Sequence, residues 1–254
     1  MTPGTLWLVP NTLDLGTPDA ASVDLRAVLP QGVIETAARL AHWVCENAKT
    51  TRAFLKRVDA VVPLARPLQA IDIRELPRPP KGRPAAEAID LKPLLAPALA
   101  GEDLGLISEA GLPAVADPGA ALVAAAHAAG VPVRPLAGPS ALLLALAASG
   151  LEGQSFAFVG YVPQEASAQA QRLKELEALS RRLGQTQLMI ETPYRNAALL
   201  RGLLAALAPA TRLSVSCGLT LAAGFTRSDS IAGWRERPTE LPADLPAVFA
   251  LLAR

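Results

Sequence analysis

Residues 104–136 read LGLISEAGLPAVADPGAALVAAAHAAGVPVRPL, and this stretch decides the fold. It opens on an apolar run, LGLIS, that suits a strand buried on both faces. A turn-rich segment, residues 109–119 (EAGLPAVADPG), comes next. An alanine-rich helix over 120–129 follows, stopped by Gly130, and then a strand over 131–136. Strand, loop, helix and strand in that order call for a parallel sheet with helices on both faces.

Upstream, residues 5–10 (TLWLVP) read as a buried strand ended by a proline. Residues 30–57 carry helical spacing interrupted by an apolar segment at 41–45, and 60–62 is a weaker strand candidate. Downstream, 140–149 reads as a helix. Further on, strands are expected at 156–161, 187–191, 212–217, 230–232 and 247–252, with helices at 166–183 and 196–207. No long helix falls after 208, so part of this second sheet is expected to be antiparallel. The rhythm changes near 150–153. The expectation is therefore two α/β domains, a parallel-sheet domain over 1–152 and a mixed-sheet domain over 153–254. Residues 76–84 (LPRPPKGRP) read as a surface loop carrying Arg78, Lys81 and Arg83.

Composition excludes several classes. The chain has 254 residues, 51% hydrophobic and 19% charged, which is enough to bury a large core and unlike a disordered chain. A net charge of +1 excludes a nucleic-acid binder that works by bulk field, though not a local basic face. Aromatics at 4% argue against a stacking surface for single strands. Cys45 and Cys217 form no CxxC pair, so they read as buried free thiols in a reducing compartment. The opening MTPGTLWLVPNTL lacks the features of a signal peptide, and the apolar tracts are short or broken for a bilayer. A cytoplasmic location is expected.

Segment 108–119 lies where an open α/β sheet binds ligands, beyond the carboxyl end of a strand. Gly111 and Gly119 let backbone approach a ligand, Pro113 and Pro118 stiffen the loop, and Glu109 and Asp117 add carboxylates. The plain alternative for Asp117 is a cap on the following helix. Segment 136–141 (LAGPSA) is a second strand-to-helix junction, with Gly138 permitting close approach and Ser140 as a candidate N-cap. A capped turn there needs no ligand. The first strand leads into VPNTLDLG rather than GxGxxG. GxxxxGKS, HExxH and GxSxG are likewise missing, and His42 and His127 stand alone. A dinucleotide enzyme, a P-loop nucleotidase, a metal-dependent catalyst and an elbow-type hydrolase are therefore poor readings.

LISEAGLP (106–113), DPG (117–119), Gly130, Pro135 with Leu136, GP (138–139) and SGL (149–151) together resemble the tetrapyrrole-methylase superfamily of S-adenosylmethionine (SAM) methyltransferases. More narrowly they resemble the ribosomal small subunit methyltransferase I group, which 2′-O-methylates a cytidine ribose in 16S rRNA. That group carries S-D-A-G-T-P-x-x-x-D-P-G, then A-G, then P-L-P-G-P-x-A, then A-G-L. Here Glu109 and Leu112 replace its Asp and Thr. Its A-E-D-T-R-H-T corresponds to residues 45–51, where Asn47 replaces the second acid and Lys49 the arginine. Its F-Y-E-S-x-H-R is similar to residues 190–195 (IETPYR).

The resemblance implies SAM held in a cleft between the two domains. Pro10, Ser108, Glu109, Ala110, Gly111, Pro113, Asp117, Pro139, Ser140 and Ala141 would contact it from one side. Tyr161, Glu191, Thr192, Pro193 and Ala247 would contact it from the other. A ribose hydroxyl is a poor nucleophile that gains from a nearby base. Glu46, Glu109 and Glu191 are the candidate carboxylates, and Lys49 is a candidate phosphate holder; Glu46, Lys49 and Glu191 are the candidate catalytic set. Glu46 pairing with Lys49, and Glu191 anchoring its own turn, are the plain alternatives. An RNA acceptor predicts a basic face, for which Lys49, Arg52, Lys56 and Arg57 are close in sequence, with Arg78, Lys81 and Arg83 on the loop. A solvated helix face is the alternative. The resemblance also implies a homodimer. It leaves open a divergent paralogue, either a methyltransferase of a tetrapyrrole-like or other small molecule or a SAM-binding protein without turnover.

Overall fold

A computed structural model describes residues 2–14, 17, 23–77 and 90–254. The chain forms two compact units, which divide at Pro139 and Ser140. The change of rhythm in the sequence lies one helix later, at 150–153.

In the first unit the order is β1 (Leu6–Leu8), α1 (Gln31–Arg39), β2 (His42–Cys45), α2 (Ala48–Asp59), β3 (Asp72–Glu75), α3 (Ala96–Leu99), β4 (Leu104–Ile107), α4 (Ala120–Ala128) and β5 (Val133–Pro135). The strands form one parallel sheet in the order β3-β2-β4-β1-β5. Side chains alternate across it. Leu6, Val44, Leu104 and Leu106 pack with Ala98 of α3 and with Leu122 and Ala126 of α4. Val9, Trp43, Cys45 and Ile107 pack with Ile34 and Ala37 of α1 and with Phe54, Leu55 and Val58 of α2. Because both faces are covered, β4 reads as an unbroken apolar run rather than an alternating one. Gly105 interrupts that run for a packing reason. A Cβ there would sit 2.8 Å from the Trp43 indole.

Residues 60–62, a strand candidate in the sequence, are instead the turn that closes α2, with the Val61 and Val62 N–H groups donating to Val58 O. The edge strand is β3, whose sequence DIRE is charged and partly exposed. Charge suits an edge, which must resist pairing with other chains, but it hides the strand from a hydrophobic pattern.

The second unit comprises α5 (Ala141–Ser149), β6 (Phe156–Phe158), α6 (Ala166–Leu183), β7 (Thr186–Glu191), α7 (Asn196–Ala206), β8 (Arg212–Cys217), β9 (Phe225–Ser230), α8 (Ile231–Glu236) and β10 (Ala247–Leu252). Its sheet runs β6-β7-β10-β8-β9, with β6 and β7 parallel and the other neighbours antiparallel. Leu173, Leu176, Leu199, Leu203 and Trp234 from α6, α7 and α8 pack with Met189, Val215 and Phe249 of the sheet. Ala145 and Leu146 of α5 pack with Leu188, Val248 and Ala250. This packing is why α5 belongs to the second unit. Residues 230–232, also read as a strand, span the end of β9 and the start of α8. The Ser230 hydroxyl there accepts from the Gly233 N–H and caps the helix. Among the described residues no helix is long and apolar enough to cross a membrane.

Candidate functional site

In the first sheet β4 and β1 are neighbours, yet their connections leave in opposite directions. From β1 the chain continues to β2, past β4; from β4 it continues to β5, past β1. Such a switch point opens a crevice at the carboxyl ends of the two strands. Three loops meet there. The Asn11 N–H donates to Gly111 O at 2.8 Å, and the Asn11 side-chain amide donates to Ser108 O at 3.2 Å and Glu109 O at 3.1 Å. Gly138 lies against Pro10 so closely that a Cβ there would collide with the proline ring. Gly111 has φ +64°, and a Cβ on it would lie 3.5 Å from Pro139 O. Pro10, Ser108, Glu109, Ala110, Gly111 and Pro139 thus belong to loops that meet at this end of the sheet, and Pro113 is buried in the same loop as Gly111. Ala114 and Ala116 hold φ of 65° and 66°, a left-handed conformation that costs a non-glycine residue about 1 kcal/mol or more.

Three carboxylates share this end of the sheet. The Glu109 N–H donates to the Glu46 carboxylate at 3.4 Å. Burial pushes the Asp117 carboxyl up to about 6, and the charges of Glu46 and Glu109 push the same way. Asp117 does not cap the next helix. That position belongs to Gly119, at φ 135°, and no side chain bonds there. The Asp117 carboxyl instead lies within the field of the two glutamates.

These features fit SAM chemically. Its sulfonium and ammonium are cations, which carboxylates favour, and Gly111 and Gly138 offer backbone without a Cβ in the way.

Lys49 is exposed in the first turn of α2. Asn47 is the N-cap of that helix, its side-chain oxygen accepting from the Lys49 N–H at 2.9 Å and the Thr50 N–H at 3.4 Å. Glu75 of β3 accepts from the Ala48 N–H at 2.8 Å. The residue that replaces the second acid therefore has a structural use. Lys49, Arg52 and Lys56 are exposed and fall on one stripe of α2. Arg57 does not join them. It forms an ion pair with buried Asp14 at 2.9 Å and donates to Val23 O at 2.9 Å, tying the loop after β1 to α2. Arg57 is thus removed from the expected basic face. Sequence reading missed this pair because a lone aspartate in TLDLG carries no pattern. Arg78, Lys81 and Arg83 lie outside the described residues.

In the second unit, Tyr161 follows β6, Glu191 ends β7, and Ala247 opens β10, paired with both Glu191 and Cys217. These positions, with Thr192 and Pro193, therefore lie at one end of the sheet. The buried Glu191 carboxylate accepts from the Thr192 N–H at 2.8 Å and pairs with Arg195 at 3.3 Å. This arrangement anchors its own turn. Ser140 occupies the N-cap position ahead of Ala141 in α5, but its side chain makes no capping bond.

Comparison with known proteins gives the family of the chain. Residues 30–226 match the family Tetrapyrrole (Corrin/Porphyrin) Methylases. The chain is 49% identical over 78 residues to the ribosomal RNA small subunit methyltransferase I of Xylella fastidiosa, covering 31% of this chain and 29% of that protein. It is 42% identical over 97 residues to the protein of that name from Vibrio cholerae, covering 38% and 32%. Against the Mesorhizobium japonicum protein the figures are 40% over 127 residues, covering 50% and 42%. The matched stretches span less than half the length of these relatives. A crystal structure of uroporphyrin-III-C-methyltransferase from Thermus thermophilus shares the fold, with a TM-score of 0.50 at 19% identity, covering 98% of this chain and 92% of that one. With most of its length matched and a loop-built crevice at the switch point of its parallel sheet, the chain belongs to the tetrapyrrole methylase family.

Proposed function

We propose that this chain is a SAM-dependent methyltransferase acting on RNA, with a ribose 2′-hydroxyl of small-subunit rRNA as acceptor. SAM is the cofactor of the family. The observation that carries the RNA reading is the exposed Lys49, Arg52 and Lys56 stripe, on a helix that begins just beyond Glu46 of the carboxylate cluster. Phosphates bind such a stripe. The names of the curated relatives point the same way.

SAM supplies a methyl group already activated on a sulfonium, so the protein contributes mainly position and proton transfer. Glu46, Glu109 and Asp117 supply negative charge for the cationic groups. Pro10, Ala110, Gly111 and Pro139 shape the backbone around them. Glu46, at the start of α2, is assigned to take the acceptor proton, and Lys49 to hold a neighbouring phosphate. Glu191 is a positioning residue that sets the 191–195 turn. The same reading places the protein in the cytoplasm, where Cys45 and Cys217 stay reduced. It also makes it a homodimer, for which Leu143 and Leu144 of α5 offer exposed apolar surface.

The test is methyl transfer from tritiated SAM into an extract of cells lacking this protein, followed by fractionation. The expected result is label in small-subunit rRNA. Label confined to small molecules would overturn the RNA reading.

A further inference from the structure

The chain has two tyrosines, Tyr161 and Tyr194. Among the described residues they are the most exposed large apolar side chains, at 61% and 75%. Both lie at the same end of the second sheet. Their strands β6 and β7 are parallel neighbours, with Phe158 paired to Leu188, and the Ile190 N–H donates to Gly160 O at 3.2 Å. Continuing that register sets Tyr161 opposite Glu191, three residues before Tyr194.

The mount of Tyr194 is stiff. It sits in a single helical turn, Pro193–Arg195, whose proline fixes one backbone angle. On one side Arg195 pairs with Glu191, which also holds the Thr192 N–H. On the other, the Asn196 side-chain amide donates to Leu245 O at 3.0 Å. A ring held out on an ordered turn loses little freedom when something binds it.

The surroundings favour one kind of partner. A protein docking site needs a ring of apolar neighbours around its anchor. The other exposed large apolar side chains of this unit lie elsewhere. Phe156 begins β6 and Leu183 ends α6, both at the opposite end of the sheet, and Leu143 and Leu144 are on α5. Two flat aromatic faces on a polar surface suit an unpaired nucleobase, which needs a π face and little else.

We propose that Tyr194, with Tyr161 beside it, is a stacking platform for an unpaired base of the RNA acceptor. The proposal rests on the RNA reading above and adds a specificity determinant to it. The low aromatic content excludes an extended stacking surface but not two rings. Tyr194 stands where the resembling group's F-Y-E-S-x-H-R has histidine, so the phenol ring distinguishes this chain from that motif.

The test is steady-state methylation of small-subunit rRNA from cells lacking the protein, with Tyr194→Ala, Tyr194→Phe and Tyr194→Trp in the full chain, and SAM affinity measured separately by calorimetry. Tyr194→Ala is expected to raise KM for the RNA about ten- to a hundredfold, with kcat and SAM affinity within about twofold of the parent. Phe and Trp should keep the parental KM, because stacking needs the ring and not the hydroxyl. Tyr161→Ala should give a smaller rise. An unchanged KM in Tyr194→Ala overturns the platform, as does an equal loss in the Phe variant. A matching loss of SAM affinity would assign the ring to the cofactor instead. If the parent chain labels no RNA at all, the RNA reading falls and the platform with it.

Discussion

The ends of the two sheets carry different chemistry. In the first unit three loops bring together carboxylates, glycines and prolines, and burial, with the charges of Glu46 and Glu109 adding to it, raises the Asp117 carboxyl. In the second unit the only carboxylate brought to the sheet end by β7, Glu191, is buried and neutralised by Arg195, and what projects is aromatic. A cation is served by the first arrangement and a flat neutral base by the second.

Five changes would break or sharpen that contrast. The largest effect is expected from Gly138→Ala. Its Cβ collides with Pro10, so the loops after β1 and β5 must part. A displacement near 1 Å at a reacting site costs about a hundredfold in rate, read as kcat/KM, while the second unit should be unaffected. Reversing charge at Lys49, Arg52 and Lys56 together should weaken RNA binding about tenfold and flatten its dependence on salt, leaving SAM binding unchanged. A filter-binding titration at several salt concentrations reads this directly.

Arg57 separates structural from binding arginines on one helix. Arg57→Ala removes the Arg57 ion pair from buried Asp14, which should cost about 2–3 kcal/mol and show as a lower urea midpoint. Arg52→Ala, on the exposed stripe, should move stability by less than about 0.5 kcal/mol.

A modest effect concerns Asp117. Its folded-state value of about 6 lies above the ordinary 3.8, so the folded chain holds this proton more tightly than the unfolded chain. The resulting stability is fully present below pH 3.8 and is lost as pH rises through about 6. At neutral pH the charged side chain therefore costs stability, about 1 kcal/mol after allowance for its partial exposure. Asp117→Asn should raise Tm by about 2–4 °C near neutral pH and leave it unchanged near pH 4.

How far these features could be read from sequence varied with their physics. Strand β4, the loop after it and helix α4 were legible, since a twice-buried strand is uniformly apolar and a ligand loop must be rich in glycine and proline. Helix α6 was legible to the residue, bounded by Glu165, which caps it, and Gly184 at φ 59°. Strands β3 and β9 were not. DIRE and FTRSDS lie on sheet edges and carry no apolar alternation. In the site, spacing marked Glu109 and Gly111. It could not show that Asp117 feels the charge of Glu46, beyond the neighbouring strand, or that Arg57 turns inward to Asp14. Those depend on partners distant in sequence. The tyrosines were hidden for the opposite reason. Low aromatic content counts residues and says nothing of where two of them stand.

The most direct measurement is SAM affinity by calorimetry from about pH 5 to about pH 8, for the parent chain and Asp117→Asn. If the carboxylates of the first unit hold the cationic cofactor, the parent's affinity falls as pH drops through about 6, where Asp117 takes up its proton and loses its charge. Asp117→Asn should then bind with the weaker, low-pH affinity throughout. A parent affinity that stays flat across this range, with Asp117→Asn binding equally well, would contradict the assignment of the cofactor to this cluster.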